Sequence, residues 1–505
     1  MISSRRSFSF PSKNDRIWAR HSILRSLQSL KKRRESSAAT TSAEVIASFK
    51  RIDASPTLPR GTAAKINSLT VSLWRSVSLA PMSAVLARLD HHLSRRIQIK
   101  ISLAVILLFA TFTRFINLGR PNELVFDEVY YVDGARDYLK SGVEIDKGAP
   151  EFVVHPPIGK WAIALGIKVF GDNSFGWRFT AALVGVISIA LIYLIAYRLF
   201  NSAFLSLSAA TLMSLDGLHL VMSRTALLDI FLSFFLLLSF YLLITDRLWL
   251  MGITMGLALG TKWSALYVLA ALGIYLLISR KKFIQTFLQC GLIPIFVYAL
   301  SWSGWFLSDL GWKRDHSSNV LVSWIEYHRE MLNFHTGLRT EHSYEASAWN
   351  WLVLGRPTSF FYATPKNCGS DSCSQEVLAL GTPLLWWAGL IALFVLLGYF
   401  IHRRERQAGL IALFWLASYI PWLAFPERTM FYFYSVAFQP FMVLGIIYIC
   451  EKALENSETR AQRKLYAMGF IGLIALCFAY FYPLFVGSVM TYSDWYSRMW
   501  FSNWI

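Results

Sequence analysis

Asp127 and Glu128 stand side by side shortly after the chain's first long apolar run. A carboxylate in a partly dry pocket is a general base that can take a proton from a hydroxyl. The competing role is helix capping, with Asp127 as N-cap and Glu128 in a first turn where the dipole favours negative charge. A second group is His155-Pro156-Pro157-Ile158-Gly159-Lys160. Its prolines stiffen the start of a helix. Lys160 carries a charge that can pair with a phosphate or snorkel to the interface. A third group is Arg224 and Asp229, near Asp216 and His219, beside an apolar run. Ionisable residues there are functional candidates, although an ion pair that merely orients helices has the same composition. Lys262 and Arg428 add two cations. Several cations on one cavity suit a phosphate, and arginine suits it in bidentate fashion.

Apolar runs must position these residues. Of 505 residues, 55% are hydrophobic and only 16% charged. Soluble domains carry about 25% charged residues, so lipid is the expected solvent for most of the chain. Runs of span length fall near 99–118, 177–198, 203–219, 226–244, 248–260, 263–279, 284–306, 382–401, 409–425, 430–450 and 466–488. The reading is an all-α integral membrane protein of about eleven spans.

The net charge of +18 would suggest nucleic acid in a soluble protein, but its distribution argues against that partner. The excess sits in the first hundred residues and in short clusters between apolar runs. Arg198, Arg247, Arg280-Lys281-Lys282, Arg403-Arg404-Glu405-Arg406 and 451–464 alternate with loops poorer in Lys and Arg. The positive-inside rule then puts the N-terminus in the cytoplasm, and 119–176, 307–381 and the C-terminus outside. Within 119–176, Glu128 to Lys140 and Pro157 to Phe170 have amphipathic spacing. Both are expected as surface helices, at the depth where a lipid-linked substrate presents its head.

The expected organisation is a basic, disordered tail over 1–95, a membrane module over 96–300, an external region over 301–381 and a second membrane module over 382–505. Met82 offers an alternative start that would leave 1–81 outside the functional protein; N-terminal sequencing of native protein tests this. Cys368 and Cys373 share a polar loop and form a disulfide if it faces an oxidising space. Cys290, Cys450 and Cys477 sit in apolar runs. No second ligand pair accompanies the cysteines as a zinc site requires. No Asp-x-Asp pair or nucleotide-binding loop is apparent, so no metal cofactor is firmly implied, and a divalent cation is left open.

Several segments, in order, resemble the protein O-mannosyltransferases. They are Phe126-Asp127-Glu128-Val129-Tyr130-Tyr131, the His155–Lys160 segment, Phe175-Gly176-Trp177-Arg178, Ser223-Arg224-Thr225-Ala226-Leu227-Leu228-Asp229 and Gly260-Thr261-Lys262-Trp263-Ser264. Trp351-Leu352, Gly355-Arg356-Pro357, Leu378 to Pro383 and Arg428-Thr429-Met430-Phe431 continue the series. The likeness covers about 98–490. It implies a GT-C-type glycosyltransferase fold in the plasma membrane. It also implies transfer of mannose, with inversion, from a polyprenyl phosphate to Ser or Thr hydroxyls of exported proteins. Eukaryotic members carry a large MIR domain where this chain has only 307–381, so it looks like the bacterial form. By the resemblance, Asp127 is the base and Glu128 positions acceptor or sugar, or the two roles are exchanged. Arg224, Lys262 and Arg428 meet the donor phosphate, with His155, Lys160 and Asp229 beside them.

Two other readings fit parts of the sequence. A transporter or flippase accounts for the spans, but no internal repeat is visible and the polar clusters lie at one face rather than mid-membrane. Another lipid-phosphate glycosyltransferase, acting on a lipid or polysaccharide, shares the surface helices.

Overall fold

The computed structural model describes residues 80–366, 368–455 and 458–505. The tail expected over 1–95 lies outside these residues up to position 79. From Arg96 to Ile505 the chain forms one compact unit. Six helices in the described residues are long and apolar enough to cross a membrane: Arg96–Phe115, Ser174–Phe200, Phe283–Ser301, Pro383–Arg403, Arg406–Ala424 and Arg460–Val486. Four shorter apolar helices, Ala203–Ser214, Asp229–Ile244, Leu248–Leu259 and Ala265–Arg280, pack among them. Each of the eleven expected runs falls on one of these ten or on Gln439–Leu454.

Helices are present at both positions where surface helices were expected, Glu128–Ser141 and Ile158–Phe170. The first stops at Gly142, whose φ of +74° a side chain would resist. The second starts behind Pro156-Pro157, and its Ile158 amide donates to the Gly260 carbonyl at 2.9 Å. Gly166 lets it lie against Ser174–Phe200, because a Cβ there would sit 2.3 Å from the Gly176 carbonyl oxygen. Arg136 on the first surface helix pairs with Asp172 in the turn after the second, at 2.9 Å.

The region 301–381 is not purely helical. The helix Val320–Gly337 docks through an aromatic seam in which Trp302 lies 5.1 Å from Tyr327 and 4.9 Å from His328. Beyond it, strands Thr358–Ala363 and Cys373–Ala379 pair antiparallel, and Val489–Thr491 adds to the second. These strands were not anticipated. They have three to seven residues, too few for a clear two-residue period. Cys368 and Cys373 are joined in the hairpin loop, with Cα atoms 5.8 Å apart. The chain end is tied to the same region: Trp504 Nε1 donates to Leu354 O at 2.7 Å, and Arg356 Nη1 to Ile505 O at 2.6 Å. The C-terminus and the sheet therefore share one end of the helix bundle.

Candidate active site

The acidic pair divides its labour. Glu128 is fully buried, and its carboxylate takes Arg178 Nε at 2.8 Å and Nη2 at 2.7 Å. It also accepts the Val125 amide at 3.0 Å and the Ala226 amide at 2.7 Å. Four donors saturate it, so it is a lock joining the first surface helix, the Ser174–Phe200 span and the start of Asp229–Ile244. In this structure its lone pairs are engaged by protein donors, so a role as proton acceptor does not fall to Glu128 as it stands.

Asp127 differs. It occupies the N-cap position in right-handed helical geometry and its side chain makes no cap hydrogen bond. Its carboxylate's only hydrogen bond among the described residues is from the Tyr131 hydroxyl, a long one at 3.5 Å. Burial pushes its pKa up to about 6, against the pull of Lys262; nearby Asp229 adds to the rise. It is thus an anion at neutral pH, yet more basic than a free aspartate.

From Asp127 a circuit of contacts runs to Lys262 and Asp229, whose charges act on Asp127 in turn. Tyr131 faces His155 at 5.9 Å, and His155 lies tilted on His335 at 5.2 Å. Arg428 Nε donates to the His335 carbonyl at 2.9 Å, and its guanidinium covers Trp422 at 5.5 Å. Trp422 packs on Tyr434 at 5.2 Å, and Lys262 Nζ sits 3.9 Å from the Tyr434 ring centre. Lys262 in turn holds both oxygens of Asp229, at 2.9 and 3.0 Å. Burial, with Lys262 and Arg428 close by, holds both histidines neutral. His155 lies well below its ordinary value and His335 at about 4. His155 Nδ1 is buried without a hydrogen-bond partner. Asp127, His155, Asp229, Lys262 and Arg428 are therefore brought together.

Two expected phosphate ligands are not. Arg224 directs Nη1 to the carbonyls of Thr113, Arg114 and Ile116 at 2.9–3.0 Å, and Nη2 to that of Asn117 at 3.2 Å. It satisfies the orphan carbonyls at the end of the first span. Lys160 is buried in an ion pair with Glu144, whose other oxygen accepts from Tyr138 at 2.8 Å. In this structure both act as structural ties, away from the group around Asp127. Asp216 and His219 belong to another tie: Asp216 accepts from Trp386 at 2.7 Å, and His219 Nδ1 meets Arg114 at 2.9 Å. Among the described residues no three His, Cys, Asp or Glu side chains converge as a metal-ligand set.

The chain matches the family described as dolichyl-phosphate-mannose-protein mannosyltransferase over residues 104–306. It matches the C-terminal four-TMM region of protein-O-mannosyltransferase over 320–504. A polyprenol-phosphate-mannose–protein mannosyltransferase of Mycobacterium tuberculosis is 30% identical in an alignment of 477 positions that covers 79% of this chain and 91% of that protein. Its namesake from Corynebacterium glutamicum is 31% identical in an alignment of 486 positions that covers 79% of this chain and 92% of the relative. The chain belongs to the protein O-mannosyltransferase family. It is accordingly a multi-pass membrane protein. Its fold is that of the S. cerevisiae protein O-mannosyltransferase Pmt1–Pmt2 complex bound to the sugar donor: TM-score 0.67, 14% identity, 81% of this chain and 93% of that one. The apo ArnT of Cupriavidus metallidurans matches at TM-score 0.50 with 18% identity over 75% of this chain and 64% of its own.

In this mannosyltransferase, sequence reasoning left several site residues unassigned. Arg178 was legible as a charge beginning a span, which demands a partner. Tyr131 lies one helical turn beyond Asp127. His335, Trp422 and Tyr434 carry no local signal; only the fold brings them to Lys262.

Proposed function

We propose that this chain transfers mannose from a polyprenyl phosphate to Ser or Thr hydroxyls of exported proteins, with inversion at the sugar carbon. The observation that carries the reading is the unspent, half-buried Asp127 carboxylate beside Lys262, in a chain whose named relatives match over nine-tenths of their length. The acceptor oxygen forms a bond to the anomeric carbon and the bond from that carbon to the phosphate oxygen breaks. The hydroxyl proton passes to Asp127. An in-line base with a pKa near the working pH is well matched to this. The departing phosphate goes from a singly charged diester to a monoester whose second pKa is about 6, so it needs no acid. It needs positive charge where its own charge grows. Lys262 and Arg428 supply it, and Asp229 fixes Lys262.

The lipid tail has a place beside this centre. Ser264 and Ser418 line a small void with Asp229 and Tyr434. Further along the same two helices runs a groove of about 570 Å³, lined by Tyr267, Ala271, Ile274, Leu413 and Ala417 among others. The basic clusters at 280–282, 403–406 and 451–464 support a cytoplasmic N-terminus, with site and C-terminus external. The modules 96–300 and 382–505 then flank the external region 301–381.

An assay with labelled polyprenyl-phosphate-mannose tests the reading. Label should appear on a Ser/Thr-rich peptide and be absent from its Ala-substituted twin. Label moved across the membrane without transfer, or passed to lipid alone, would overturn it.

A further inference from the structure

Phe126, immediately before Asp127, has a φ of +50°. Left-handed backbone is uncommon outside glycine, and for a bulky residue it is an outlier that surrounding structure must enforce. The enforcement is visible in the ring contacts. Phe126 stacks on Phe360 at 5.0 Å and 24°, and meets Phe431, Phe433 and His342 edge-on at 5.4, 5.6 and 5.8 Å. These four rings come from the strand Thr358–Ala363, the segment after Arg428 and the external loop. Aromatic pairs favour such stacked and edge-on geometries. On the other flank, Val125 is fixed by Glu128, whose carboxylate takes its amide and whose amide donates to its carbonyl at 3.0 Å. Phe126 is thus the single reversed residue between a locked Val125 and the helix that starts after Asp127. Capping does not account for it, because Asp127 makes no cap bond. Nor does simple core filling, which a right-handed or extended residue would serve at lower cost.

We propose that Phe126 is a positioning residue: its ring, clamped in the four-ring nest, holds the left-handed turn that aims the Asp127 carboxylate at the acceptor hydroxyl. The inference rests on Asp127 being the base. It also links the external loop and the sheet to catalysis, since His342 and Phe360 pack directly on the Phe126 ring, next in the chain to Asp127.

The test uses the purified full chain, polyprenyl-phosphate-mannose and a Ser/Thr peptide. Phe126→Gly accepts the left-handed backbone but removes the clamp. Since a misplacement of about 1 Å can cost about 100-fold, kcat should fall at least about tenfold while the donor KM stays within about twofold. The acid limb of kcat should also move below about 6, because water gains access to Asp127. Phe126→Tyr keeps the ring and should restore both. Phe360→Leu, which leaves position 126 intact, should change kcat and the limb in the same direction but less, and decides the matter if Phe126→Gly does not fold. A folded Phe126→Gly with unchanged kcat and acid limb, whatever its thermal midpoint, overturns the inference. Asp127→Asn separates the two claims. If it retains activity, the base assignment itself fails. If it is inactive while Phe126→Gly is normal, only the positioning role fails.

Discussion

Two neighbouring sets of charges occupy this molecule, and they differ in how completely they are satisfied. In the ties, Glu128 with Arg178, Lys160 with Glu144, and Arg224 with the end of the first span, nearly every donor meets an acceptor. In the circuit around Asp127, one carboxylate has a single long hydrogen bond and one histidine nitrogen has none. Both sets are buried or half-buried, and both use the same residue types. Burial of charge alone therefore does not mark a reactive group. Nor does an unsatisfied polar atom alone, since Arg114 Nε and His219 Nε2 in a tie are also buried without partners. What sets Asp127 apart is a carboxylate with one long hydrogen bond lying within the electrostatic reach of Lys262.

The difference is broken most forcefully at the acidic pair. Asp127→Asn should lower kcat by about 100- to 10,000-fold, the range ascribed to a general base, measured as peptide mannosylation per folded enzyme. Its thermal midpoint should hold or rise. The folded carboxyl has a pKa near 6, above the unfolded value, so at pH 7 the charged form costs stability that Asn does not. Glu128→Ala should do the opposite in kind. Leaving Arg178 buried and unpaired should cost about 3–5 kcal/mol of stability, read as a large drop in thermal midpoint and yield. The double change Glu128→Leu with Arg178→Leu should recover part of that loss, because no orphan charge remains. A Glu128→Ala chain as stable as the parent would dissolve the distinction between tie and reactive group.

The cations sharpen it at smaller size. Lys262→Met removes positive charge from the circuit and should lower kcat/KM for the donor by about 10- to 1000-fold, the order of one preorganised electrostatic contact. Peptide KM should be little affected. Arg224→Met should mainly lower the thermal midpoint, since its guanidinium caps carbonyls. Equal donor defects in both, at equal folded fraction, would return Arg224 to the phosphate site.

Much of this was legible before any coordinates. Helix periodicity and proline placement located the helices Glu128–Ser141 and Ile158–Phe170 to within a residue or two. Asp127, Lys262, Asp229 and Arg428 were picked out as ionisable residues beside apolar runs, together with Glu128, Lys160 and Arg224, and their roles came from the family resemblance. The roles were harder. Asp127 and Glu128 have the same chemistry one residue apart, and nothing local says which will meet Arg178, 50 positions away. Arg224 and Lys262 likewise look alike until one is seen against carbonyls and the other against a ring. His335 entered the circuit only because Val320–Gly337 docks on an aromatic seam that no short-range pattern encodes. The strands were too short to read.

The smallest expected effect concerns pH and stability, and it separates the circuit from the ties without touching Asp127. His335 is held neutral down to about 4 in the folded chain, while an unfolded histidine takes its proton near 6.5. Below 6.5 the unfolded state therefore binds more protons than the folded one, and stability falls as the pH drops from 6.5 toward 4. His155, depressed in the same direction by burial, adds to the slope. Thermal midpoints measured from pH 7.5 to 4 should decline through that window, and His335→Gln should flatten the decline by the uptake of up to about one proton. At pH 7.5 the same variant should be nearly as stable as the parent, because a neutral side chain replaces a neutral ring. An unchanged slope in His335→Gln would mean that the ring already takes its proton freely in the folded chain, and that the positive side of the circuit does not press on it.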